Sequence, residues 1–236
     1  MPGTLSPEAW REMSFLLGGP RCERCGRSVP GVPADLPGLA CDACTGADWP
    51  WSRGRAAFFY EGSGRRLVLS LKHGDRLDLV PLIAGWMLQA GPDLVATADL
   101  IVPVPLHWRR LVMRRYNQSG ELARRTARLA GKPAAYAPRL LRRIRATPVQ
   151  DGRDREARIA NLANAIAPAP GAARRLAGRR VLLIDDVMTT GATLSACSRA
   201  VLSAGAGGVD VLVAALVPFR GMAYVPPDTE HEETPA

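Results

Sequence analysis

No run of about 18 apolar residues occurs anywhere in the chain, so no membrane-spanning helix is expected. The opening residues, MPGTLSPEAWREMSFLLGG, lack the positive start and long apolar centre of a secretory leader. These two absences lead to the expectation of a cytoplasmic protein with no membrane insertion. The chain begins Met1-Pro2 rather than with cysteine, which sets aside glutamine-linked amidotransfer by an N-terminal thiol. No side chain stands out as a general base or as the donor pocket of a nitrogen acceptor. Acidic residues are outnumbered: 22 Asp and Glu face 31 Lys and Arg, giving a net charge of +9. That balance favours anionic partners, either phosphate-bearing ligands or nucleic acid. Charge alone does not choose between them, because Arg-rich helices also serve as solvated faces.

What is present is enough for one good-sized domain and a small one: 236 residues, 47% of them hydrophobic. Gly (23) and Pro (20) imply many turns. Residues 1–21 read as a short amphipathic helix with a Gly-Gly-Pro stop. Residues 22–48 have little regular pattern. Phe58-Phe59-Tyr60 is strand-like, and Glu61-Gly62-Ser63-Gly64 reads as a turn. Helical spacing follows over 65–73 and 77–90. Asp99–Val104 and Val181–Ile184 are short apolar runs of the kind that form buried strands. A helix is expected over Ser119–Ala130, with Leu122, Ala123, Thr126 and Leu129 on one face. Another is expected over Leu194–Ala204, before a last strand, Val209–Leu216. The tail from Pro226 is expected to be disordered. Strands alternating with helices imply an α/β fold, a parallel sheet flanked by helices. Ligands on such sheets bind at the carboxyl ends of the strands. The organisation expected is a helix and small cysteine-bearing unit over 1–52, the sheet domain over 53–225, and a tail over 226–236.

Cys22-x-x-Cys25 and Cys41-x-x-Cys44 have the spacing of a four-thiolate zinc site. Each pair places two sulfurs on one side of a tight turn. The segment between the pairs has almost no core of its own, so a metal would have to hold it. Four cysteines leave no open coordination position, which points to a structural Zn²⁺. A redox pair and an iron–sulfur site stay open as alternatives. Cys197 reads as a core residue.

After the run Val181-Leu182-Leu183-Ile184 come two carboxylates, Asp185 and Asp186, then Val187-Met188 and Thr189-Thr190-Gly191-Ala192-Thr193. Backbone N–H groups at a helix start face an anion, and the helix dipole favours negative charge there. Thr hydroxyls add donors, and Gly191 allows close approach. Carboxylates repel phosphate, so their partners would be sugar hydroxyls, or Mg²⁺ through water. This run resembles the signature of type I phosphoribosyltransferases, which bind phosphoribosyl diphosphate (PRPP). The resemblance implies that Asp185 and Asp186 contact the ribose hydroxyls. It implies that Thr189, Thr190, Gly191, Ala192 and Thr193 cradle the 5′-phosphate, and that PRPP arrives with Mg²⁺.

Nearly the whole chain resembles the ComF family, whose members include proteins linked to DNA uptake in natural competence. The likeness runs through the paired cysteines, Leu71-Lys72-His73-Gly74-Asp75, Ile101–Arg110, Arg114–Ser119, the block Arg145–Asn161 and the PRPP signature. In that block Arg145, Thr147, Gln150, Arg158 and Asn161 fit the family pattern, and the block also resembles the mobile loop that closes over PRPP in amidophosphoribosyltransferases. The resemblance makes Lys72, His107, Arg109, Arg110, Arg115, Asn117 and Gln118 candidates for holding pyrophosphate. It makes Arg145, Gln150 and Arg158 candidates for a lid. His107 is also a candidate for protonating the leaving group. One departure is visible, since family members often carry Arg-Gly-Phe-Asn-Gln where this chain has Arg114-Arg115-Tyr116-Asn117-Gln118. The expected function is that of a PRPP-binding, phosphoribosyltransferase-type protein with an unassigned acceptor. The alternative is a non-catalytic module that senses PRPP or binds single-stranded DNA beside a competence helicase. The sequence assigns no oligomeric state.

Overall fold

Two apolar runs build the middle of a four-stranded parallel sheet: β5, Arg180–Met188, and β6, Gly208–Leu216. They pair from Arg180↔Gly208 to Met188↔Leu216. The edges are β1, Arg53–Phe59, beside β6, and β2, Leu100–Pro103, beside β5. Pro103 has no N–H to give to a ladder and is tolerated because β2 lies at an edge. The computed structural model describes residues 5–33, 36–73, 76–106, 116–145 and 165–218.

The alternation of side chains along β5 and β6 sorts the apolar residues onto two faces. Leu182, Ile184, Leu212 and Ala214 face one way, into a cluster with Leu71, Ile83, Met87, Leu94 and Leu122. Those come from α2 (Gly62–His73), α3 (Val80–Ala90), α4 (Pro92–Thr97) and α5 (Gln118–Leu129). Val181, Leu183, Val209, Val211 and Val213 face the other way. Their cover is α7 (Ala192–Ser203), α6 (Ala172–Leu176), the hairpin β3 (Leu141–Arg143) and β4 (Ile166–Pro168), and the four cysteines. This is the expected α/β arrangement, a parallel sheet covered on both faces, with a cysteine cluster near the N-terminus.

Both sheet edges are partly covered. Beside β1, Leu16 N–H donates to Ala57 O (2.8 Å), Phe59 N–H donates to Ser14 O (2.9 Å), and Gly54 N–H donates to Glu23 O (2.6 Å). Beside β2, Ala137 N–H donates to Ile101 O at 2.9 Å. At the amino end of the sheet, the buried carboxylate of Asp210 accepts from Arg53 (Nη2, 2.9 Å) and Arg180 (Nη1, 3.2 Å). On the helical side, Lys132 Nζ closes the last turn of α4 by donating to the carbonyls of Val95, Ala96 and Ala98.

Several local expectations change. The helix expected across 1–21 is only α1, Pro7–Arg11, among the described residues. Beyond it the chain extends, because Phe15 pairs with Phe58 and Leu16 is buried against β1. Gly62-Ser63-Gly64 is the first turn of α2 and not a loop. A Cβ on Gly64 would lie 2.6 Å from Phe59 O and 2.9 Å from Phe58 Cδ2, so the glycine serves close helix–strand approach. Leu129 is exposed, and Ala127 is buried in its place. The buried stripe of α5 runs through Ser119, Leu122, Ala123, Thr126 and Ala127, and position 129 falls off that face. Strand β5 continues four residues past Ile184, so Asp185 and Asp186 lie within it. The tail and residues 219–225 lie outside the described residues. No described helix is long and apolar enough to cross a membrane.

Candidate functional site

The carboxyl end of β5 carries Asp185 and Asp186 on opposite faces of the strand. Asp185 Oδ1 accepts from Ser119 Oγ (2.8 Å) and from the Asp186 backbone N–H (2.9 Å). Asp186 is 8% exposed, and its Oδ1 pairs with Lys72 Nζ at 3.2 Å. Lys72 reaches it from the last turn of α2. Burial raises the Asp185 pKa to about 7, and the neighbouring Asp186 charge adds to the rise. The bonds from Ser119 and the Asp186 N–H, and then Lys72, pull the other way. Among the described residues, two carboxylates with one ammonium make a negative corner. Its chemistry suits hydroxyl donors or a divalent cation and repels a phosphate placed directly on it.

The segment that leads into α5 ties three elements to this corner. Tyr116 Oη donates to Leu71 O (2.6 Å), beside Lys72. Asn117 Nδ2 donates to Val104 O (3.0 Å), at the end of β2. Ser119 then reaches Asp185. Gln118 is 1% exposed, so it and Asn117 turn into the protein. The Tyr116 and Ser119 contacts were not expected. A signal for Ser119 was available, since it directly follows Asn117-Gln118 and starts the helix beside the strand that carries Asp185.

After Met188 the chain turns through Thr189 and Thr190 to Gly191, which has φ +74° and precedes the first residue of α7, Ala192. Gly191 is required twice. Its backbone is left-handed, and a Cβ would meet Trp49 Cζ3 at 2.5 Å and Trp51 Cη2 at 3.1 Å. No side chain caps α7, so its first N–H groups are available to an anion. Thr189 is exposed, while Thr190 and Thr193 are partly exposed.

Cys22, Cys25, Cys41 and Cys44 are buried, all four are free thiols, and their sulfurs lie within 4.8 Å of one another. Cys25 Sγ and Cys41 Sγ are 3.7 Å apart. A tetrahedral site with metal–sulfur bonds of about 2.3 Å needs edges of about 3.8 Å. The cluster could therefore bind a metal such as zinc. Knuckle-type turns shape it: Gly26 N–H donates to Cys22 O, and Thr45 N–H to Cys41 O, both at 2.9 Å. Cys197 is fully buried on α7, away from these four, and burial pushes its thiol pKa up.

Arg145 is exposed just past β3. His107, Arg109, Arg110, Arg115, Gln150 and Arg158 lie outside the described residues, as do Thr147 and Asn161.

The fold and site define a class: a parallel-sheet α/β protein with a four-cysteine metal-type cluster docked on the sheet. No protein-family model matches the chain. It is 31% identical over 207 residues to the DNA utilization protein YhgH of Salmonella typhimurium, covering 80% of this chain and 87% of that one. It is 30% identical over 204 residues to the protein of the same name from Salmonella typhi, with the same coverage. Over 113 residues it is 34% identical to Competence protein F of Haemophilus influenzae, covering 48% of each chain. The chain belongs to the ComF family.

Proposed function

We propose that the end of β5 and the start of α7 bind the ribose 5-phosphate half of PRPP, in a phosphoribosyltransferase-like domain spanning 53–225. The observation that carries this reading is the pairing of two features a few residues apart. Asp185 and Asp186 form a negative corner, and the uncapped start of α7 with its Thr-rich turn forms a donor corner. A ribose phosphate presents hydroxyls to the first and a phosphate to the second. Lys72 is the described cation at the corner, and its ammonium would move from Asp186 to the pyrophosphate when PRPP enters with Mg²⁺. Arg109, Arg110 and Arg115 would add charge there. Arg145, Gln150 and Arg158 would act from a lid. The four cysteines would hold a structural Zn²⁺.

The relatives named for DNA utilization and competence support a DNA-related role for this chain, and the net charge of +9 suits a nucleic-acid partner. Whether the domain transfers phosphoribose to an acceptor or binds PRPP to regulate a DNA-handling partner is a difference in turnover. Calorimetry of the full chain with Mg²⁺ and PRPP is expected to give saturable binding. That binding should be lost in the Asp185→Asn/Asp186→Asn variant while fold and metal content stay intact. Unchanged affinity in the variant sinks the proposed site. Pyrophosphate release with a panel of bases and amines identifies catalysis. PRPP binding with no release under any acceptor, together with salt-sensitive binding of single-stranded DNA, identifies the regulatory module.

A further inference from the structure

The cysteine cluster and the phosphate-type loop are in mechanical contact through two tryptophans. Trp49 follows the second cysteine pair by a short turn, in which Ala47 N–H donates to Cys44 O (3.2 Å) and Trp49 N–H donates to Ala47 O (3.1 Å). Trp51 is pinned to the first pair, since its Nε1 donates to Arg24 O at 2.8 Å, and Arg24 sits between Cys22 and Cys25. Arg24 returns the contact through Nη1 to Trp51 O at 2.7 Å. The two indoles pack together with centroids 4.5 Å apart. Trp51 is 1% exposed. Their outer edges press on Gly191, which has room for no side chain on that side. Next to this contact a small cavity of about 30 Å³ separates Cys25 and Cys44 from Met188, Thr189 and Thr190. It admits water but is far too small for a nucleotide-sized ligand.

We propose that Trp49 and Trp51 are positioning residues for the loop 189–191, and that they make the loop's ligand-binding form conditional on a metal-loaded cysteine centre. Each indole is tied to a different cysteine pair, so the distance between the pairs sets how the slab sits. One backbone bond links the two pairs, Glu23 N–H donating to Leu39 O at 2.7 Å, whereas a metal would fix all four sulfurs at once. When the metal leaves, the pairs separate, the slab loses its footing, and Gly191 is free to leave its left-handed conformation. The first N–H groups of α7 then no longer converge. The loading of the cysteine centre is thus read at a site that contains none of its ligands.

This inference rests on the reading of the loop as a PRPP site, but its structural half is testable without PRPP. In the full chain, hydrogen exchange of residues 188–193 should quicken at least tenfold when zinc is removed by a chelator and recover when zinc returns. Unchanged exchange there overturns the proposal. By calorimetry, Trp49→Ala should weaken PRPP at least tenfold while keeping the wild-type zinc content, with Trp49→Phe restoring affinity to within about threefold. Trp10→Ala, on the exposed side of α1, should leave affinity unchanged. Equal PRPP affinity in zinc-loaded wild type and zinc-loaded Trp49→Ala also overturns it. Should Trp49→Ala fail to fold, the exchange comparison on the wild-type chain decides alone. A wild-type chain that binds no PRPP yet shows zinc-dependent exchange at 188–193 removes the PRPP reading and leaves the coupling standing.

Discussion

The two ends of the parallel sheet handle buried carboxylates in opposite ways. At the amino end a single carboxylate, Asp210, sits between two guanidiniums, Arg53 and Arg180, and its charge is met in full. At the carboxyl end, among the described residues, two adjacent carboxylates have one ammonium beside them, Lys72 paired with Asp186, and Asp185 is pushed toward neutrality. The first arrangement is complete without a ligand. The second keeps unfavourable charge together, which a fold tolerates where something else supplies the missing partner.

That contrast can be broken at four points. The largest effect belongs to the Asp185→Asn/Asp186→Asn variant, which should lose PRPP affinity by about 100-fold or more, roughly 2.7 kcal/mol, in calorimetry. Asp210→Ala should cost about 2–3 kcal/mol in urea unfolding, because it strands two charged donors, and should leave PRPP affinity alone. Asp185→Asn alone should stabilise the protein at pH 8, because it removes a charge that the fold disfavours. The sign follows from the raised folded-state pKa. The fold disfavours the charged form, so the penalty is complete above about pH 7 and absent below about pH 4, where the unfolded carboxyl also holds its proton. The gap between wild-type and variant unfolding curves should therefore close as pH falls through that window. A variant less stable than wild type at pH 8 would show instead that Asp185 is held as an anion. The smallest effect is that of Ser119→Ala, about 1 kcal/mol for one hydrogen bond. It should move the Asp185 carboxyl further upward in a carbon-detected NMR titration.

Much of this was legible because apolar runs and paired cysteines are local signals. Val181–Ile184 and Val209–Leu216 announce buried strands, and the two CxxC pairs announce a cluster whose sulfurs do converge. Other features were hidden because tertiary contact decides them. β3 and β4 are three residues each and pair across a long insertion. The glycines at 62 and 64 look like a turn until Glu12 is placed beside the first and the aromatic ring of Phe58 beside the second. Trp49 and Trp51 carried a signal that could have been read, as two of only five tryptophans, directly after the second cysteine pair. What they touch depends on bringing residue 191 back to the same place, which no local pattern contains.

The hydrogen bonds that Ser14, Leu16 and Glu23 make along β1 have a further meaning for the solution behaviour of the molecule. An open strand edge is a template on which other chains can add, and proteins guard such edges. Here the guard is the N-terminal segment itself, with Glu23 inside the first cysteine pair. The cysteine unit is therefore an anti-aggregation device as well as a candidate metal centre. A chain trimmed to begin at the sheet would expose β1 along the backbone atoms that this segment occupies. Cleavage or unravelling of the first 24 residues is then a route to strand-to-strand assembly, independent of anything that happens at the other end of the sheet.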